Sequence, residues 1–278
     1  MKRQRTIKNS VQIEGIGLQT GKNVRVTLKS APANSGINFI RTDLANKPLL
    51  NLQSMALSGS GLNQRRTTLG IGPFEIQTTE HLLAALSGLS IDNIVVEIDN
   101  IELPGLDGSA RCFVEALKKA APVEQDWAKK VLKIDEPIWL TDKDSLLAAF
   151  PDEGFKVSYT LSYDRPSIGT QFFSMAIDEE KFVKEIAPAR TFCLEEEALE
   201  LLKRGLGKGA NYENTLVMGK DGPINNALRF SEEPVRHKIL DLIGDLYILG
   251  MPIQGHIVAI KSGHRMNMEL VKKLKNSG

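Results

Sequence analysis

The densest group of side chains able to do chemistry in this sequence is Arg236-His237-Lys238-Ile239-Leu240-Asp241-Leu242-Ile243-Gly244-Asp245. At roughly 100° per residue, a helix here places His237, Asp241 and Asp245 on one stripe with Lys238 at its edge. Val235, Ile239, Leu242, Leu246 and Leu249 fall on the opposite face. An imidazole and a carboxylate one turn apart can chelate a divalent ion, or form an ordinary i, i+4 pair on a wet helix. Leu240 and Ile248 flank the polar stripe, which suits the floor of a cleft better than an open surface.

Glu80-His81 forms a second group. Thr78 or Thr79 caps a short helix, so His81 falls in its first turn, where the dipole disfavours a cation and helps keep imidazole neutral for metal binding. By itself the pair reads as a helix-dipole partner and a surface histidine. Together with His237 and Asp241 it makes two nitrogens and one oxygen around an ion with an open position, the catalytic zinc pattern. Non-haem iron oxygenases use the same ligand types, so the ligands alone do not choose the reaction. The neighbours narrow it. Glu80 would stand within reach of a water at the ion. His264, in Ser262-Gly263-His264 just past a strand end, would be kept protonated by Asp245 and act as an acid. A base and an acid suit hydrolysis, whereas an oxygenase has no evident need of both. His256 heads a strand and reads as structural or exposed.

The elements that must position these residues follow from turn signals and periodicity. In the first half, strands are expected at Val11 to Gly15, Val24 to Leu28, Ile37 to Arg41 and Asn93 to Asp99. A loop is expected near Ser58 to Asn63, a hairpin from Thr67 to Gln77, and helices at Glu80 to Ser87 and Ala110 to Ala120. Pro122 to Asp126 reads as a polar linker and a boundary. In the second half, strands are expected at Lys130 to Trp139, Ser145 to Phe150, Phe155 to Tyr163, Thr170 to Met175 and His256 to Lys261. Helices are expected after an Asp178 cap, at Leu194 to Arg204, after a Ser231 cap, and from Met268 to Lys275.

The 278 residues exceed the usual size of one domain, so two cores are expected. The layout predicts an α+β fold of two similar two-layer domains, 1–125 and 126–278, each a mainly antiparallel sheet on two helices with the site between them. A formal charge of +1 gives no general reason to bind nucleic acid or an anionic membrane. No apolar run approaches the roughly 18 residues that span a bilayer. Lys2, Arg3 and Arg5 are not followed by the apolar core of a secretory signal. Cys112 and Cys193 lack ligand spacing and suit a reducing cytoplasm.

Five motifs in order carry a resemblance: Thr78-Thr79-Glu80-His81-Leu82-Leu83-Ala84-Ala85-Leu86, Leu103-Pro104-Gly105-Leu106-Asp107-Gly108-Ser109, Ala189-Arg190-Thr191-Phe192, the stretch Val235 to Asp245, and Lys261-Ser262-Gly263-His264. Over nearly the whole chain the sequence resembles the UDP-3-O-acyl-N-acetylglucosamine deacetylases, zinc amidases of lipid A synthesis. The resemblance implies zinc, with ferrous iron as an alternative, on His81, His237 and Asp241. It implies Glu80 as general base, Thr191 beside the oxyanion, and His264, oriented by Asp245, as acid. Lys238 would contact the polar part of a UDP-linked acylated amino sugar. A segment near 189–218, with Phe192, Leu199, Leu202 and the turn Gly205 to Gly209, would pass the fatty acyl chain; helix packing is the plain alternative for these residues. Asp107 would support a ligand histidine or serve as a turn residue. The family pattern Gly-Gly-Ser after Lys208 is here Gly209-Ala210-Asn211, which bears on acyl-chain length. A cytoplasmic monomer without stable membrane insertion, and without a fused dehydratase domain, is expected. A metal-dependent amidase on another acylated sugar and a non-catalytic metal-binding protein are the alternatives.

Overall fold

The structure, a computed structural model, describes residues 2–54 and 66–277. The loop expected near Ser58 to Asn63 lies outside the described residues. The first half contains β1 (Arg3–Ile7), β2 (Val11–Ile16), β3 (Asn23–Ser30), β4 (Ile37–Arg41), β5 (Leu49–Asn51), β6 (Thr68–Leu69), β7 (Ile76–Gln77) and β8 (Ile94–Ile98), with helices α1 (Glu80–Gly88) and α2 (Arg111–Lys119). The second half contains β9 (Pro122–Ala128), β10 (Leu132–Lys133), β11 (Ile138–Asp142), β12 (Ser145–Phe150), β13 (Phe155–Ser162), β14 (Thr170–Ala176), β15 (Phe192–Leu194), β16 (Leu216–Met218) and β17 (Ile253–Ile260). Its helices are the single turn α3 (Glu179–Lys181), α4 (Glu195–Lys203), α5 (Glu233–Leu246) and α6 (His264–Ser277).

The fold is α+β with mostly antiparallel sheets, as expected. Its two main sheets share one strand order. The first runs β2-β3-β8-β4-β5, the second β11-β12-β17-β13-β14 with β10 also paired to β17. In each, a hairpin comes first and a second hairpin next. The last strand then enters between them, antiparallel to the first hairpin and parallel to the second. Alternation explains the register: in β3, Val24, Val26 and Leu28 are buried while Asn23 and Arg25 face out.

Four expectations are corrected. Pro122 to Asp126 is no linker but most of β9, paired antiparallel with β1. This polar ribbon lacks apolar alternation, and its two strands lie far apart in sequence, so neither showed a local signal. Lys130 to Trp139 is not one strand; Pro137, unable to donate to a ladder, separates β10 from β11. Ser231 does not cap α5, whose cap residue Glu232 makes no side-chain cap bond. The last helix begins at His264, not Met268, so His264 is the first residue of a helix and not part of a loop.

The expected two cores merge. Buried apolar side chains from both halves form one cluster among the described residues. The junction is α1 packed on α5, which itself rests on α6, β13 and β14. In α5 every residue but Lys238 is buried. Gly244 lets the two helices meet: a Cβ there would stand 2.0 Å from the carbonyl oxygen of Glu80. Gly244→Ala should therefore cost about 1–3 kcal/mol, the usual range for overpacking. Urea unfolding checks this, and an unchanged midpoint would show that the approach is looser than described.

Candidate active site

The sequence of α5 builds one wall of the site. Pro234 sits in its first turn, and Glu233, instead of serving the helix dipole from the surface, points inward as a fully buried partner of Arg190. Arg190 Nε donates to Glu233 Oε1 at 2.8 Å, and its backbone N–H donates to the same oxygen at 3.0 Å. The guanidinium also donates to Asn226 Oδ1 and the Ala227 carbonyl. This network fixes segment 189–192 against α5, and the carbonyl of Ala189 then accepts from His237 Nδ1 at 3.0 Å. The bond assigns the proton to Nδ1 and leaves the Nε2 lone pair free.

Three donor groups converge beside it. His237 Nε2 lies 3.3 Å and His81 Nε2 3.9 Å from Asp241 Oδ1, and the two rings meet edge to face with centroids 5.1 Å apart. Candidate ligand atoms of His81, His237 and Asp241 all fall within 4.8 Å of one another. Burial pulls His81 down to a pKa of about 3, with the neighbouring His237 adding to the effect. Burial also lowers His237, against the charge of Asp241. For Asp241 burial acts upward but is outweighed by its neighbours, His237 and the charged Lys238 first among them, so its carboxyl is held well below the usual range. Two neutral imidazoles and one carboxylate are the protonation states a divalent cation requires. Among the described residues, His81 Nδ1 is buried without a hydrogen-bond partner. The donor set fits such an ion.

Glu80 and His264 flank this cluster, and with Asp241 they form a second convergent group. Glu80 is buried, and burial raises its pKa to about 8, helped by Asp241 and Asp245 and opposed by His264. For His264 burial acts downward but is outweighed by the charge of Asp245 and the 2.8 Å hydrogen bond between Nδ1 and Asp245 Oδ2, so its pKa rises to about 9. Asp245 is fully buried and also accepts from Asn267 Nδ2 and the Thr67 hydroxyl. Just before α1, Thr78 has left-handed backbone (φ 57°), uncommon for a β-branched residue. Its hydroxyl donates to the buried Glu102 at 2.9 Å. Glu102 also accepts the amides of Gln19 and Thr20, so one carboxylate ties the start of α1 to the cavity wall at residues 18–20.

Segments from both halves of the chain thus close around one buried cluster of carboxylates and imidazoles. Comparison with known proteins identifies the family. The family model of UDP-3-O-acyl N-acetylglycosamine deacetylase matches residues 4–276. The chain belongs to this family. It is 44% identical over 273 residues to the UDP-3-O-acyl-N-acetylglucosamine deacetylase of Chlamydia caviae, covering 98% of this chain and 96% of the relative. Proteins of the same name from Trichormus variabilis and Thermodesulfovibrio yellowstonii are each 40% identical, covering 98% and 99% of this chain and 98% and 92% of the relatives.

Most of the remaining residues singled out in this family member line one cavity of about 500 Å³ that opens from the ligand cluster. Thr191 lines it, its backbone N–H donating to the Gly108 carbonyl at 2.8 Å. The Phe192 ring meets those of His237 and Tyr163 in T-shaped arrangements. Leu199 and Leu202 line it from α4 while remaining more than half exposed. Gly207, Ala210 and Asn211 also line it. Gly209 is turned to the N-terminal half instead: its amide donates to the Leu18 carbonyl, and a Cβ would stand 2.3 Å from the Gly17 carbonyl oxygen. Lys238 is less free than expected of a substrate contact, since Nζ donates to Asp241 Oδ2 at 2.7 Å. Asp107 pairs with Arg229 at 2.9 Å and Arg111 at 3.0 Å, and its charge also reaches His81. His256 bonds Ser158 Oγ, away from the cavity. Thr67, Asn267 and Tyr163 escaped sequence reading because lone hydroxyls and amides carry no spacing signature.

Stability should report the raised pairs. With Glu80 at about 8 against 4.5 and His264 at about 9 against 6.5, the native state holds more protons than the unfolded chain between pH 6.5 and 9. The thermal midpoint of metal-free protein should fall as pH rises through that window, and His264→Gln should flatten its upper part. A midpoint that stays level would contradict the assignment.

Proposed function

We propose that this protein hydrolyses the acetamide of UDP-3-O-acyl-N-acetylglucosamine to the free amine and acetate, an early committed step of lipid A biosynthesis, with zinc held by His81, His237 and Asp241. Ferrous iron suits the same donors. The observation that carries the reading is the sharing of Asp241 between the three-ligand cluster and the Glu80–His264 pair. A binding protein has no use for a base and an acid buried at its ligands. Family membership supplies the substrate class.

When bound, zinc would acidify water and polarise the acetyl carbonyl. The protein's own groups do the rest. Glu80 takes the proton of the attacking water; positive charge at the loaded ligands would return it to carboxylate at neutral pH. Thr191, which lines the cavity, donates its hydroxyl to the developing oxyanion. His264, charged at neutral pH because Asp245 holds it so, gives its Nε2 proton to the sugar nitrogen as the C–N bond breaks. Lys238 keeps Asp241 ionised and presents its remaining N–H donors to the substrate's polar part. The apolar side of the cavity, from Phe192 to Leu202 with Val217, accommodates the acyl chain. A reducing cytoplasm, where this sugar nucleotide would be handled, matches two cysteines that form no disulfide. No described helix is long and apolar enough to cross a membrane.

Acetate release from UDP-3-O-acyl-N-acetylglucosamine should disappear on chelation and return with zinc. Activity surviving complete metal removal would refute the mechanism. Glu80→Ala should keep the metal and lose about 10²–10⁴-fold in rate. His237→Ala should lose the metal first, measured by metal content before any assay. Glu80→Ala protein that no longer binds metal would make Glu80 a ligand.

A further inference from the structure

Thr67 lies outside every motif that carries the family resemblance, yet it touches three groups of the site. Its amide donates to Glu80 Oε2 at 3.1 Å. Its hydroxyl donates to Asp245 Oδ1 and lies 3.1 Å from His264 Nδ1. That hydroxyl has one proton, which goes to Asp245, so towards His264 its oxygen can only accept. Nδ1 must then carry a proton, shared between Asp245 Oδ2 and Thr67. Nε2 is left as the atom that faces Asp241, 4.0 Å away, and the cavity.

Thr67 is itself well anchored. It is buried, and its carbonyl accepts from the Thr79 amide. The two-stranded β6–β7 ladder, Thr68 opposite Gln77 and Leu69 opposite Ile76, closes immediately after it. β7 leads within three residues into α1, so the chain that carries Thr67 is tied to the chain that carries Glu80.

We propose that Thr67 is a positioning residue that holds the base Glu80 and the acid His264 at a set separation, its amide gripping one and its hydroxyl orienting the other together with Asp245. The inference rests on the deacetylase reading. In that reaction Glu80 and His264 serve one tetrahedral carbon: a proton leaves the attacking oxygen at Glu80 and another reaches the departing nitrogen from His264. A displacement of about 1 Å between such groups costs roughly 100-fold in rate. A threonine that only filled space beside Asp245 would affect stability without affecting turnover of folded enzyme.

Thr67→Val keeps the branched shape and the amide but removes the hydroxyl; Thr67→Ser keeps the hydroxyl. On the zinc-loaded enzyme, Thr67→Val should retain metal content and KM while kcat falls roughly 10–100-fold, and Thr67→Ser should restore most of it. Proton and nitrogen NMR of the imidazoles gives a readout without turnover. The His264 Nδ1–H resonance should be shared by wild type and Thr67→Ser and shifted in Thr67→Val. A wild-type kcat in Thr67→Val, a Thr67→Ser variant as slow as Thr67→Val, or an unshifted resonance would overturn the assignment. Wild-type protein that released no acetate would refute the deacetylase reading, and the NMR comparison would still decide the role of Thr67.

Discussion

The site depends on one backbone contact. Where α1 crosses α5, Gly244 faces the carbonyl of Glu80 so closely that no side chain fits between them. Glu80 and His81 come from one half of the chain, His237, Asp241 and Asp245 from the other. Only the near-touching of these two helices brings ligand atoms from both within 4.8 Å. Because the same junction joins the apolar side chains of the two halves into one core, hydrophobic burial and active-site assembly are a single event.

Burial also sets the chemistry. In a dry site each charge must be carried by a specific neighbour, and the neighbours here drive similar groups in opposite directions. Asp241, beside Lys238 and His237, stays ionised, whereas Glu80 is pushed up to about 8. His81 is pushed down to about 3, and His264, bonded to Asp245, rises to about 9. Two acids and two histidines are thereby driven to different protonation states, the division that the proposed roles of ligand and base, ligand and acid require. The buried Arg190–Glu233 pair belongs to the same design. Its multiple bonds hold the Ala189 carbonyl where it fixes the tautomer of His237.

Periodicity and turn residues located α1, α2 and α4 to within a residue or two, as well as the β6–β7 hairpin and most strands of both main sheets. They failed where the signal was not local. β1 and β9 pair across more than a hundred residues with polar side chains, and only that partnership makes them strands. Gly209 was assigned to an acyl passage by its motif, but its close contact with Gly17 turns it to the wall, leaving Gly207 and Ala210 to line the cavity. Asp107 sits in a family motif, yet Arg111 and Arg229 claim it.

By itself the sequence determined the residue types of the site, the helical stripe that carries His237, Asp241 and Asp245, and the family, because these are written in local spacing and in motifs kept in order. Tertiary structure alone decided that Lys238 is tied to Asp241, that His237 is oriented by Ala189, and that Thr67 bridges Glu80 and His264. These are pairings between groups distant along the chain, and they exist only once α1, α5 and α6 have packed. The i, i+4 pair on α5 is legible as a pair from its spacing. That it is a buried half-site and not a wet surface follows from α1 closing over it, a contact that depends on Gly244 having no side chain.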